Sequence, residues 1–294
     1  MKRVLGDRRA ILVLLGPAIL IYTLVMIIPI IWSLGYTFTE GNPLVGFEFV
    51  GLDNFATLFT DPKVGSAFLF TVKYALVLTV AQVLLGYLLA LAYVFWIRKA
   101  SGLVRTLVFF PVVLPTVAVS LLFQELFKVA PNNGLVNDML NAFGIESVDW
   151  FSNPDTAFFV LVIMDLWRSM GFYAVLLYAG LLDIPEDIYE SARLDGASGA
   201  SLVRHIVLPL SLPVLLSSII FSINGTLKVF DSVVALTNGG PGNATTPLTL
   251  YMYQTSFNYG QYGYGSTIAF VLALMCLIVT RFIFRSNSRR DLES

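Results

Sequence analysis

A chain of 294 residues with 57% hydrophobic and 13% charged residues and a mean hydropathy of +0.79 is too oily for a soluble domain, where roughly 45–50% of residues are apolar and about 25% charged. Its formal net charge of −1 supplies no global field to recruit nucleic acid or acidic partners. The single cysteine, Cys276, lies inside an apolar run, which excludes a disulfide framework and a cysteine metal site and leaves a packing role.

A helix needs about 20 mostly apolar residues to cross the hydrocarbon core of a membrane. Six segments qualify: 10–36, 66–97, 103–127, 156–181, 209–237 and 265–285. All are expected to be helical, because open strands leave backbone groups unsatisfied in lipid. The first follows a basic start, as a secretory signal does. Its apolar run, Ala10 to Leu34, is longer than a signal core of about 7–15 residues and no A-x-A site follows it, so it reads as an uncleaved first span.

Lys and Arg divide unevenly between the two sides. One side holds Lys2, Arg3, Arg8, Arg9, Arg98, Lys99, Arg105, Arg193, Arg204, Arg281, Arg285, Arg289 and Arg290; the other holds Lys63 and Lys128. Both termini are therefore expected in the cytoplasm. The opposite loops, 37–65 and 128–155, are poor in positive charge, and "TNGGPGNATTPLTLYMYQTSFNYGQYGYG" has no charge at all. Its Gly-Gly-Pro-Gly run signals a turn, and its aromatic residues suit either a membrane interface or a partner's face.

Between the fourth and fifth spans stands "YESARLDGASGASLVRHIVLP", Tyr189–Pro209, with Glu190, Arg193, Asp195, Arg204 and the only histidine, His205. Asp183 is positioned to cap a short helix from Ile184, with Ile184, Ile188 and Ala192 on one face. Gly196 suits a C-terminal cap, and Ser198 a second short helix. The expected unit is a helix–turn–helix lying along the cytoplasmic surface. It mixes both signs of charge, unlike a simple surface binder, and its small residues allow another protein close approach.

These residues resemble a known signature. Glu190-Ser191-Ala192, Asp195-Gly196-Ala197 and Ile206-Val207-Leu208-Pro209 look like the EAA motif of ATP-binding-cassette (ABC) importer permeases, which reads E-A-A-x-x-D-G-A with I-x-L-P further on; Ser191 replaces the first alanine. "KVFDSVVALTNGGPGNATTPLTLYMYQTSF", "FFPVVLP" at Phe109–Pro115 and "WFSNPDTA" at Trp150–Ala157 are similar to stretches of the carbohydrate-uptake branch, in the subunit resembling the larger maltose permease. The resemblance covers about residues 66–285.

It implies an all-α integral membrane protein with six transmembrane helices and the type I ABC importer permease fold. The implied layout is 1–65 for the first helix and outer loop, 66–285 for the transmembrane domain with a coupling loop at 183–208, and 286–294 for a cytoplasmic tail. Glu190, Ala192, Arg193, Asp195 and Gly196 would contact a cytoplasmic ATPase. The implied partners are a second, related permease, two ATPase copies, an extracytoplasmic sugar-binding protein and membrane lipid. No cofactor or metal is expected on this chain, which lacks a G-x-x-x-x-G-K-[ST] loop; ATP and magnesium would be used by the partner ATPase. The chain itself is then not an enzyme, and its place is the bacterial-type cell membrane.

Polar groups at membrane depth mark a pathway. Asp165, Arg168, Ser169 and Phe172 on the fourth span, and Ser222, Gly225, Thr226 and Val229 on the fifth, match sugar-lining positions of the maltose-permease relatives. Asp165 and Arg168 either line the pathway or neutralise each other at i,i+3. Lys228 and Asp231 are expected to pair, or meet a partner, near the outer mouth. Two rivals remain: an ion-gradient-driven secondary transporter, which leaves 189–209 unexplained, and an ABC permease for another polar solute such as glycerol phosphate.

Overall fold

The computed structural model describes residues 8–97, 100–129 and 131–288. Lys2, Arg3, Arg98, Lys99, Arg289 and Arg290, which enter the orientation reading, lie outside them, as does the end of the expected 286–294 tail. In chain order the elements are α1 (Ile11–Tyr36), the strands β1 (Thr39–Asn42) and β2 (Gly46–Phe49), α2 (Asp53–Thr60), α3 (Pro62–Phe95), α4 (Ser101–Val113), α5 (Thr116–Leu126), α6 (Leu135–Ala142) and α7 (Pro154–Leu182). Then follow α8 (Glu186–Leu194), α9 (Gly199–Leu210), α10 (Leu212–Thr226), α11 (Asp231–Leu236), α12 (Leu248–Tyr253) and α13 (Tyr262–Ser288).

Four of the expected spans are continuous helices: α1, α3, α7 and the Tyr262–Arg285 part of α13. The other two are broken. α4 and α5 meet at 97°, because Pro111 and Pro115 lack the amides an unbroken helix needs and Leu114, before Pro115, is extended at φ −72°, ψ 139°. α9 and α10 meet at 70° at Ser211, between Pro209 and Pro213. The fifth helix also stops at Thr226, so the expected run to residue 237 is corrected. Residues 227–230 leave the helix before α11 begins.

The chain divides into two compact units, one holding the chain up to Val64 with Tyr251–Ala273, the other Gly65–Leu250 with the chain from Leu274. In the first, α1 is apolar on every side and uncovered, as a lipid-facing helix is. The two strands pair antiparallel from Thr39↔Phe49 to Asn42↔Gly46, a small departure from the all-helical expectation. Asn54 on α2 donates to the Thr37 and Thr39 carbonyls at 3.0 and 2.9 Å, satisfying backbone that the hairpin leaves open. The Asp61 carboxylate accepts from the Tyr251 and Tyr264 hydroxyls at 2.6 and 2.7 Å.

The second unit carries two apolar cores. One gathers Phe70, Tyr74 and Leu78 of α3, Phe123 of α5, Leu161 and Met164 of α7, and Val233 of α11. The other gathers Val83, Tyr87 and Leu91 of α3, Tyr173, Leu177 and Leu181 of α7, Tyr189 and Ala192 of α8, and Leu202 and Val207 of α9. Glycines allow close approach: a Cβ on Gly86 of α3 would meet the Tyr173 Cβ at 2.8 Å, and one on Gly171 of α7 would overlap the Val108 carbonyl of α4. Along α3 and α7 the two cores are separated by a layer of polar side chains.

Candidate functional site

That polar layer opens on a cavity of about 240 Å³. α3 contributes Tyr74, Leu78 and Gln82, and α7 contributes Asp165, Arg168, Ser169 and Tyr173. α10 contributes Ser222, Gly225 and Thr226; the break after it adds Lys228, Val229 and Phe230; α11 adds Asp231 and Ser232, and Thr116 opens α5 at the wall. The helix break therefore builds one wall of the cavity. Its exposed backbone is tied back in places, as where the Thr249 hydroxyl donates to the Val229 carbonyl.

Asp165 is only 3% exposed, and an isolated buried carboxylate is costly. Here it accepts from the Tyr74 hydroxyl, from Ser232 Oγ at 2.8 Å and from Arg168 Nε at 3.3 Å. Both of its oxygens are engaged by the protein. Arg168 is paired with Asp165 through Nε and its side chain stays 28% exposed, so its terminal nitrogens remain on offer to the cavity. Both alternatives for this pair hold at once: it neutralises itself and lines the cavity.

Beside it runs a continuous hydrogen-bond chain. Gln82 donates to Ser169 Oγ at 2.6 Å and accepts from Ser222 Oγ at 2.6 Å. Ser222 Oγ also lies 3.0 Å from Thr79 Oγ1, which is 3.2 Å from Thr226 Oγ1. One layer thus ties α3, α7 and α10 together.

Phe172 is 40% exposed and stacks edge-on against Tyr173 at 5.2 Å, outside this cavity; Tyr173, one residue on, lines it. One expectation about this region is corrected. Lys228 and Asp231 do not pair: among the described residues the ion pairs are Asp165–Arg168 and Glu125–Lys128. Because α10 has ended, the two are not helical i,i+3 neighbours, and both face the cavity. Tyr74, Thr79 and Gln82 were missed; the signal was there, since Tyr74, Leu78 and Gln82 fall at i, i+4 and i+8 of a largely apolar helix.

The second candidate surface is the α8–α9 segment. α8 starts at Glu186, with Pro185 at the cap position, two residues after the expected Ile184. Asp183 closes α7 instead. The turn after α8 is a Schellman motif: Gly196 N–H donates to the Arg193 carbonyl at 3.0 Å and Ala197 N–H to the Ala192 carbonyl at 2.9 Å, with Gly196 at φ +88°. α9 contains one wider, i→i+5 turn at Val203–Val207.

Tyr189 and Ala192 turn inward into the second core, while Ile188 is 36% exposed. Ala192 is therefore a packing residue, which corrects its expected place on the docking face, and Tyr189 takes the place expected of Ile188. At 100° per residue the face opposite Tyr189 and Ala192 holds Asp187, Glu190, Ser191 and Leu194. All four are exposed, Leu194 to 89%. Arg193 lies on a flank, Asp195 and Gly196 at the exposed end, and His205 is exposed beside the Ser201 carbonyl, 3.0 Å away.

Apolar helices of spanning length, two of them bent, with a polar cavity between α3, α7 and α10, define a polytopic α-helical membrane protein. Residues 82–292 match the model of the binding-protein-dependent transport system inner membrane component family, and the chain belongs to that family. It is 32% identical over 298 residues to the sulfoquinovosyl glycerol transport system permease protein of Agrobacterium fabrum, covering 98% of this chain and 93% of that one. It is 36% identical over 247 residues to the trehalose/maltose transport system permease protein of Thermococcus litoralis, covering 83% and 81%. The fold is similar to a chain of the bacterial alginate ABC transporter in complex with an alginate pentasaccharide-bound periplasmic protein, with a TM-score of 0.82 at 22% identity over 94% of this chain and 93% of that one.

Proposed function

We propose that this chain is a membrane subunit of an ATP-driven, binding-protein-dependent importer of neutral mono- or oligosaccharides, and that the cavity between α3, α7 and α10 is its share of the pathway. The observation that carries the reading is the cavity's lining. Arg168 and Lys228 stand against Asp165 and Asp231, so the charges balance. Hydroxyls of Ser169 and Thr226, the Arg168 guanidinium and the rings of Tyr173 and Phe230 offer what a polyhydroxylated ring needs: hydrogen-bond partners and apolar stacking faces. The trehalose/maltose relative supports the same cargo class.

In this reading both termini and the α8–α9 segment face the cytoplasm. The exposed face with Glu190 docks in a separate ATPase, and a second, related permease completes the pathway. Asp195, Gly196 and Arg193 frame the contact. α8 is joined to α3 and α7 through Tyr189 and Ala192, so movement of the ATPase would be carried into the helices that line the cavity. Binding of cargo on one side and release on the other is alternating access around a central site.

The test is to purify the assembled transporter with its binding protein and identify the bound ligand by mass spectrometry. A neutral mono- or oligosaccharide is expected; an anionic solute would overturn the cargo assignment. Uptake that collapses with a protonophore while ATP stays high would overturn ATP drive.

A further inference from the structure

The end of α3 and α9 enclose a second hollow, an apolar trough of about 610 Å³. Its walls are Leu91, Phe95 and Trp96 from the α3 end and Leu202, Val203 and Leu208 from α9. Two cations, Arg193 and Arg204, stand at it, and among the described residues no carboxylate lines it. Neither arginine has an acidic partner within ion-pair distance among the described residues. We propose that this trough binds an anionic phospholipid, its phosphate held by Arg193 and Arg204 and an acyl chain lying along the apolar walls.

Three features point to that occupant. The first is chemistry: an apolar wall suits neither sugar nor water, while two arginines in the lining match a phosphate, which guanidinium groups hold through paired N–H donors. The second is depth. α3 is a spanning helix that ends at Phe95, and Trp96, 76% exposed, stands where an indole marks the boundary between hydrocarbon and headgroups. Basic pockets between helices at that level hold lipid headgroups. The third is position on α8. Arg193 projects about 60° from Glu190 and about 100° from Leu194, on the flank of the exposed face, so the same short helix can present one face to a protein and a flank to lipid.

The leaflet depends on the orientation proposed above, in which this end is cytoplasmic; binding itself does not. The occupant would brace α9 against α3 beside the turn at Gly196, and lipid composition would then act on the segment that receives the ATPase.

The experiment uses the assembled transporter in mild detergent with a photoactivatable phosphatidylglycerol, or phosphatidylcholine carrying the same chains. Crosslinked peptides are mapped by mass spectrometry. Labelling at 91–96 and 197–208 should favour phosphatidylglycerol by about tenfold or more, the scale expected for two arginines beside an anionic headgroup. R193Q/R204Q should abolish that preference. A200W, which keeps both arginines and fills the trough, should cut labelling by either lipid; should the double variant not assemble, it decides the matter. Equal labelling by the two lipids, no labelling at these peptides, or labelling unchanged in A200W would overturn the proposal. The readout is covalent lipid, so it fails or succeeds independently of cargo and of ATP drive.

Discussion

Gln82 donates to Ser169 Oγ at 2.6 Å across the gap between α3 and α7, and its amide oxygen accepts from Ser222 of α10. One side chain thereby holds three helices at the level of the cavity. A buried amide used at both ends is a strong constraint, because removing it takes one partner from each of two hydroxyls at once.

Gln82→Leu should therefore cost more than a single hydrogen bond. Two hydrogen bonds are lost, at about 0.5–1.5 kcal/mol each, and we expect the purified complex to melt several degrees lower with cargo uptake reduced at least tenfold. Thermal melting together with uptake kinetics checks this. Unchanged melting and uptake would show that the layer does not tie the helices.

The Asp165–Arg168 pair should behave non-additively. Asp165→Ala removes the acceptor of Tyr74 and Ser232 and leaves Arg168 without its counter-charge. Breaking a buried pair from one side costs about 3–5 kcal/mol, and the part-exposed guanidinium here places the loss at or below the lower end. Adding Arg168→Gln to Asp165→Ala should restore part of the lost stability, though not transport. A double variant less stable than Asp165→Ala would contradict the pairing.

Gly196→Ala tests the turn after α8. A Cβ at φ +88° is disfavoured by about 1–2 kcal/mol. Amide exchange across 186–197 should speed up by roughly that free energy, about five- to thirty-fold. Unchanged protection of the Ala197 amide would mean that the turn does not rely on glycine.

Asp61 gives a pH prediction. Burial acts to raise its carboxyl, but the hydroxyls of Tyr251 and Tyr264, the Lys63 amide and the Lys63 charge outweigh it and hold the group below its ordinary value of 3.8. A depressed carboxyl contributes stability that is complete above the unfolded value and is lost as pH falls through the folded one. The wild type should lose stability below about pH 4 more steeply than Tyr251→Phe/Tyr264→Phe, as followed by thermal melting across pH 6 to 3. Parallel curves would contradict it.

Much of this was legible in the residues. Apolar runs locate all six spans, because lipid imposes one rule on the whole length of a helix. The prolines of "PVVLP" and "LPLSLP" mark the two bent ones, but run length alone reads through them. The break at 227–230 has no proline or glycine, so Lys228 and Asp231 are drawn as helical neighbours when they are not. The periodicity that groups Asp165, Arg168 and Ser169 extends to Phe172, whereas Tyr173, which packs against Gly86 of α3, is the residue that lines the cavity. Ala192 shows the same limit: a small residue suits a docking face and a core equally, and only tertiary packing separates them.

Glu190→Lys is the most direct test of the account. It reverses one charge on the exposed face of α8 and leaves Tyr189 and Ala192 in the core. The variant should insert and accumulate normally, yet lose the ATPase on purification and take up cargo at least tenfold more slowly, the scale set by an opposed charge at a protein contact. Uptake at the wild-type rate with the ATPase still bound would contradict coupling through this helix.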